Sequence, residues 1–159
     1  MIDKNQQPGL SKVQIDSVIG LYASRQYQEA IDQILVLDEN YPNVPFLFNL
    51  IGACYKQLGQ LELSVKMFEK AISIKPDYAE AHKNLGIVLK DLGKLDSAVK
   101  SFQRAIEFEP NYVDAQFNLA IAFKDLNKLD DAIKSYKKAI KLNPNFAEAH
   151  NNLGNIFRD

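Results

Sequence analysis

Crosslinking chemistry is nearly absent from this 159-residue sequence, which contains one cysteine, Cys54. No intramolecular disulfide can form, and a reducing, cytoplasmic setting is expected. Long apolar runs are missing too: nothing approaches the roughly 18 residues a membrane-crossing helix needs, so no membrane insertion is expected. Residues 1–10 (MIDKNQQPGL) lack the apolar stretch of a secretory signal and are read as a mobile leader. Neither sign of charge dominates. With 19 basic and 20 acidic residues the formal net charge is −1, which gives no general attraction to nucleic acid or an anionic bilayer. Gly-rich phosphate loops, metal-ligand spacings and nucleophile motifs are also lacking. The carboxylates are spread along the chain instead of converging. The expectation is a protein that is not an enzyme, with no catalytic residue, no metal and no cofactor.

What the sequence does contain is a ruler. Pro42, Pro76, Pro110 and Pro144 are spaced by 34 residues. The same interval links Ala71, Ala105 and Ala139; Phe68, Phe102 and Tyr136; Ser64, Ala98 and Ala132; and Gly52, Gly86, Ala120 and Gly154. So many columns on one period identify an internal repeat, which decides the fold before any single residue does.

Within a period the pattern is helical. Leu85 and Leu89 lie four apart, as do Ala98 and Phe102, so each pair shares a helix face, and Ala105 extends the second stripe. Gly93 stands between the stripes, where a left-handed residue ends a helix; Gly59 and Asn127 hold the equivalent positions. Pro110 closes the second helix. Asn111 is expected to cap the next, with Asp114 near its positive end, an arrangement repeated by Asp77 with Glu80 and by Asn145 with Glu148. Small residues at 52, 86 and 120 allow close helix approach. One such hairpin cannot bury its stripe alone, whereas stacked hairpins share a core.

The motif resembles that of the tetratricopeptide-repeat family, whose pattern runs W-x2-L-G-x2-Y, A-x3-F, A, P. Phe48, Ile51, Gly52, Tyr55, Ser64, Phe68, Ala71 and Pro76 occupy it once. His82, Leu85, Gly86, Leu89, Ala98, Phe102, Ala105 and Pro110 occupy it again, followed by Gln116, Leu119, Ala120, Phe123, Ala132, Tyr136, Ala139 and Pro144. The repeats are therefore placed at 11–44, 45–78, 79–112 and 113–146, with the first helix of a fifth at 147–159. Ser17, Val18 and Leu37 depart from the pattern in the first repeat, as suits a terminal unit. The resemblance implies an all-α fold, a right-handed α-solenoid of antiparallel helix pairs with about nine helices. It also implies that the first helix of each repeat lines a concave face.

On that face Asn84, Asn118 and Asn152 recur at the 34-residue interval. An asparagine side chain offers one acceptor and an amide donor, matching a peptide backbone. With helices about 8–10 Å apart and an extended peptide rising about 3.3 Å per residue, one asparagine would meet every third residue or so. The column resembles the asparagine ladder of the O-linked N-acetylglucosamine transferase family, and AEAHxNLG, present at 79–86 and 147–154, is similar to those repeats. Leu50 and Asp16 interrupt the column earlier, which confines it to the C-terminal half. A second reading stands beside it: these asparagines bond a neighbouring helix or loop and hold no ligand. Lys83, Ile87, Lys90 and Asp91, with Phe117, Ile121, Lys124 and Asp125, flank the ladder and suit a weak, adaptable groove.

Other features lead less far. A two-carboxylate clamp, as in repeats that hold acidic chaperone tails, would match Lys83 and Asn118, but Ile87, Glu148 and Asn152 replace its remaining places. Glu148 would repel a ligand carboxylate. His82 and His150 are 68 residues apart and read as packing residues, Cys54 as a buried, inert thiol. Lys134, Lys137, Lys138 and Lys141 form a basic stripe on an outward helix, read as a solvated ridge instead of a nucleic-acid site. Three functions remain in view: a scaffold that binds a peptide or protein partner; the substrate-selecting arm of a larger glycosyl- or sulfotransferase; and a homo-oligomer assembled through 147–159, where Leu153, Ile156 and Phe157 await a partner helix.

Overall fold

The computed structural model describes residues 9–158; most of the expected leader, 1–8, and residue 159 lie outside the described residues. Among the described residues there are nine α-helices and no strand. They are α1 (Lys12–Ala23), α2 (Tyr27–Asn40), α3 (Pro45–Gln57), α4 (Leu61–Ile74), α5 (Ala79–Asp91), α6 (Leu95–Phe108), α7 (Val113–Asp125), α8 (Leu129–Leu142) and α9 (Ala147–Arg158). Two compact units form, Met1–Lys75 with α1–α4 and Pro76–Asp159 with α5–α9.

In the first unit, α1 opens with a reciprocal cap. The Gln14 amide N–H donates to Ser11 Oγ at 3.3 Å, and the Ser11 N–H donates to Gln14 Oε1 at 2.9 Å. Val18, Ile31, Ile34, Leu47, Ile51 and Cys54 form the core between α1, α2 and α3. The second hairpin closes on Gly52. A Cβ there would come within 2.7 Å of the Phe68 ring, so only glycine admits the aromatic at this depth. The buried Ser64 hydroxyl donates to the Gly52 carbonyl at 2.7 Å, which tightens the same contact.

The second unit repeats this contact. Phe102 on α6 seats against Gly86 on α5, where a Cβ would stand 2.6 Å from the ring. In the next hairpin Ala120, Ala132 and Ala149 surround the buried Tyr136 ring, with Phe117, Phe146, Leu153 and Ile156 packed around them. Each histidine ties its own helix to the preceding turn. The Nε2 of His82 lies 2.8 Å from the Pro76 carbonyl, and that of His150 lies 2.9 Å from the Pro144 carbonyl. A carbonyl can only accept, so Nε2 carries the proton in both.

The turns inside the hairpins share one geometry. Arg25, Gly59, Gly93 and Asn127 have φ of 64°, 74°, 73° and 58°. After each, the next amide reaches back to the last helical turn, as in Lys94 N–H to Leu89 O at 2.8 Å. The expected capping by Asn111 is not found. Tyr112 is the N-cap of α7 and makes no side-chain cap bond, because its amide closes a turn onto Glu109 O at 3.1 Å and leaves Asn111 inside that turn. Tyr78 stands at the corresponding start of α5, also without a side-chain cap. Glu80, Asp114 and Glu148 do sit in the first turns of their helices, where the dipole favours a negative charge.

Candidate peptide-binding surface

The three asparagines of the ladder all belong to the second unit, Asn84 on α5, Asn118 on α7 and Asn152 on α9, and each is half-buried. Helix α5 packs directly against α7. Their periodic placement follows from the hairpins themselves, since equal repeat lengths return equal positions to equal faces.

The asparagines are not equivalent. Asn118 Nδ2 donates to the Asp114 carbonyl of its own helix at 2.8 Å, which fixes the amide on the helix surface. That bond uses one of its two N–H groups and leaves the side-chain carbonyl without a partner among the described residues. Asn152 stands beside the Tyr136 hydroxyl. Burial pushes that hydroxyl's pKa up, Asn152 opposes the shift and the Asp125 carboxylate adds to it. The hydroxyl itself makes no hydrogen bond of acceptable geometry.

The flanking residues differ in how far they are committed. Lys83 Nζ lies 5.7 Å from the centre of the Tyr112 ring, a cation–π distance. The pKa of the Tyr112 hydroxyl is driven well above its ordinary value, first by burial and then by Glu80, Asp114, Glu109 and Tyr78. Lys90 pairs with Asp91 at 3.4 Å, so part of its charge is answered locally. Ile87 and Ile121 are half-buried, and Lys124 is exposed. Phe117 is anchored from below: its ring centre lies 4.6 Å from that of Phe146 and 5.9 Å from that of Tyr136. The arrangement offers amide and ammonium hydrogen bonding beside apolar side chains.

Sequence reasoning passed over the aromatic residues that support this surface. Tyr78, Tyr112 and Phe146 recur at 34 residues, one column before each helix of the face, and the interval alone would have found them. The engagement of Asn118 by the carbonyl four residues before it leaves no sequence signal, because every helix position has such a carbonyl and the same amide serves equally well as a ligand contact.

Comparison with known proteins agrees with this architecture. A family profile described as TPR repeat matches residues 52–93 and 122–158, and two described as tetratricopeptide repeat match 79–112 and 101–134. All three describe repeats and none a catalytic domain. Anaphase-promoting complex subunit 3 of Dictyostelium discoideum is 39% identical over 56 residues, 35% of this chain, which spans only 6% of that protein. Among solved structures, MamA superimposes with a TM-score of 0.82 at 23% identity, over 89% of this chain and 82% of that one. YrrB, described as a TPR protein with an unusual peptide-binding site, gives 0.76 at 22% identity, over 87% and 71%. The first TPR of Spaghetti (RPAP3) bound to the HSP90 peptide SRMEEVD gives 0.70 at 24% identity, over 72% and 90%. These likenesses establish an all-α solenoid fold and leave the ligand open. With profiles running from residue 52 to residue 158 and the 34-residue motif on every hairpin of that span, the chain belongs to the tetratricopeptide-repeat family.

Proposed function

We propose that this protein is a cytoplasmic interaction scaffold that holds an extended peptide of a partner protein against α5, α7 and α9. Asn84, Asn118 and Asn152 grip the peptide backbone; Lys83, Ile87, Lys90, Phe117, Ile121 and Lys124 tune which side chains are accepted. The observation that carries the reading is the asparagine column itself, with Asn118 held rigid by its own helix while its side-chain carbonyl stays unengaged. A pre-positioned acceptor costs little entropy to use. The similarity of AEAHxNLG to the repeats of O-linked N-acetylglucosamine transferases supports backbone gripping. The peptide-bound RPAP3 repeat and the peptide-binding site described for YrrB support a peptide as the kind of ligand.

Binding of a diverse peptide library to the wild type and to Asn84→Ala/Asn118→Ala/Asn152→Ala tests it. Each asparagine supplies up to two backbone bonds worth about 0.5–1.5 kcal/mol net apiece. Losing half of that total weakens binding more than about tenfold across unrelated sequences. Unchanged binding in a folded variant would make the ladder structural and sink the proposal.

One observation favours self-association as a second reading. Gly52 and Gly86 each receive a phenylalanine ring, whereas Gly154 on α9 has nothing within 4 Å and Phe157 nearby is 64% exposed. A second copy would cover that stripe. Sedimentation at rising concentration decides it: a monomer throughout excludes it, and a dimer abolished by Phe157→Asp supports it.

A further inference from the structure

Elsewhere on α7, the column that holds Phe48, His82 and His150, with Gln14 in the first repeat, holds Gln116. The ring matters where it is present. His82 bonds the Pro76 carbonyl and lies 5.5 Å, centre to centre, from the Phe108 ring. One period on, Gln116 takes the place of His82 and Leu142 that of Phe108, so both rings are gone. Two adjoining depressions of about 300 and 380 Å³ open there, and Ile106, Gln116 and Lys138 line both. These volumes sit at the low end for ligand sites, right for one side chain and small for a cofactor.

Gln116 is 4% exposed and its Oε1 has no hydrogen-bond partner, although a buried amide carbonyl ordinarily finds one. A small turn about its soft terminal torsion would offer that oxygen to a donor entering the cleft. The rim is positive. Lys138 and Lys141 have no ion pair among the described residues, while Lys134 is answered by Asp131 at 3.5 Å. Phe123 and Leu142 supply apolar wall.

A missing ring, an orphaned acceptor and a basic rim together specify an occupant. We infer that this cleft docks a tryptophan side chain from an acidic segment of a partner protein. The indole fills the volume left by the ring column, its N–H satisfies Gln116 Oε1, and flanking carboxylates meet Lys138 and Lys141. The site is separate from the asparagine column and does not depend on it. An indole is broader than a phenol ring and covers more of the two depressions, and an uncharged segment leaves the lysines unanswered.

The chain contains no tryptophan, so a peptide's indole is the only one in the mixture. The probe is acetyl-Glu-Glu-Trp-Glu-Glu-amide, titrated with the full chain while its emission is followed. A saturable blue shift is expected. Gln116→His restores a ring and closes the cleft, so binding should weaken at least about tenfold while the thermal melt stays at or above that of the wild type. Gln116→Leu, which keeps the volume and removes the acceptor, should also weaken it, as should Lys138→Ala/Lys141→Ala. The triple asparagine variant should bind the probe normally, which separates this site from the peptide-backbone ladder. Full binding by Gln116→His, equal competition by the same peptide with alanine for tryptophan, or no shift at millimolar protein would each overturn the assignment.

Discussion

Cys54 shows how burial sets the chemistry of a single residue. Burial raises its thiol pKa from 9.0 to about 11, over a smaller opposing pull from a backbone hydrogen bond. A raised acid keeps its proton in the folded state after the unfolded chain has released it. Its contribution to stability is therefore complete below pH 9 and is lost as pH climbs towards 11. Denaturant unfolding at pH 8 and pH 10.5 should show the wild type losing more stability than Cys54→Ala; equal losses would refute the assignment. Arg25 argues the converse case, a residue at odds with its backbone. It occupies the left-handed turn position that Gly59 and Gly93 fill elsewhere, at φ 64°. A left-handed side chain costs about 1–2 kcal/mol, and glycine would return roughly 0.5–1 kcal/mol of that in unfolded-chain entropy. Arg25→Gly should accordingly stabilise the chain by about 0.5–1 kcal/mol in chemical denaturation. The sequence shows the position through its 34-residue spacing from Gly59. It does not show that arginine adopts the same φ, because the surrounding hairpin imposes that conformation.

At the scale of the element, one motif column carries two opposite physical situations. Gly86 lies under Phe102 and Gly154 lies under nothing. An alanine at 86 must push the ring or the helix by several tenths of an ångström, and overpacking of this kind costs about 1–3 kcal/mol. At 154 the added methyl meets open space inside a helix, and alanine gains roughly 0.5–1 kcal/mol over glycine. Gly86→Ala should therefore lower the urea midpoint while Gly154→Ala raises it. Two shifts of the same sign would contradict the packing described. This contrast marks the boundary of what the sequence made legible. The period announced the helices, their turns and the aromatic partners of the small residues, because those depend on local spacing. It left the stripe of Leu153, Ile156 and Phe157 without a partner helix, but it could not give how closely Phe102 approaches Gly86, since that depends on how the two helices pack. For the same reason Asn111 looked like a cap until the turn onto Glu109 placed it one residue early, and the motif position of Gln116 gave no sign that its carbonyl would lack a partner.

At the scale of the molecule, stability and the proposed binding surface are distributed over neighbouring hairpins. In a repeat array each unit depends on its own packing and that of the units beside it, so compact segments can stand alone. The second unit, Pro76–Asp159, holds the complete asparagine column, the Phe102 and Tyr136 contacts and the histidine ties to Pro76 and Pro144. The first unit supplies none of these residues. It holds Leu50 and Asp16 where the column would continue. A fragment 76–159 should then keep helical circular dichroism and a cooperative melt, and bind a ladder peptide within about threefold of the full chain. Fragment 1–75 should not bind it. If 76–159 folds but binds at least about tenfold more weakly, the first unit contributes to recognition directly, and a ladder confined to α5, α7 and α9 is too small a description of the surface.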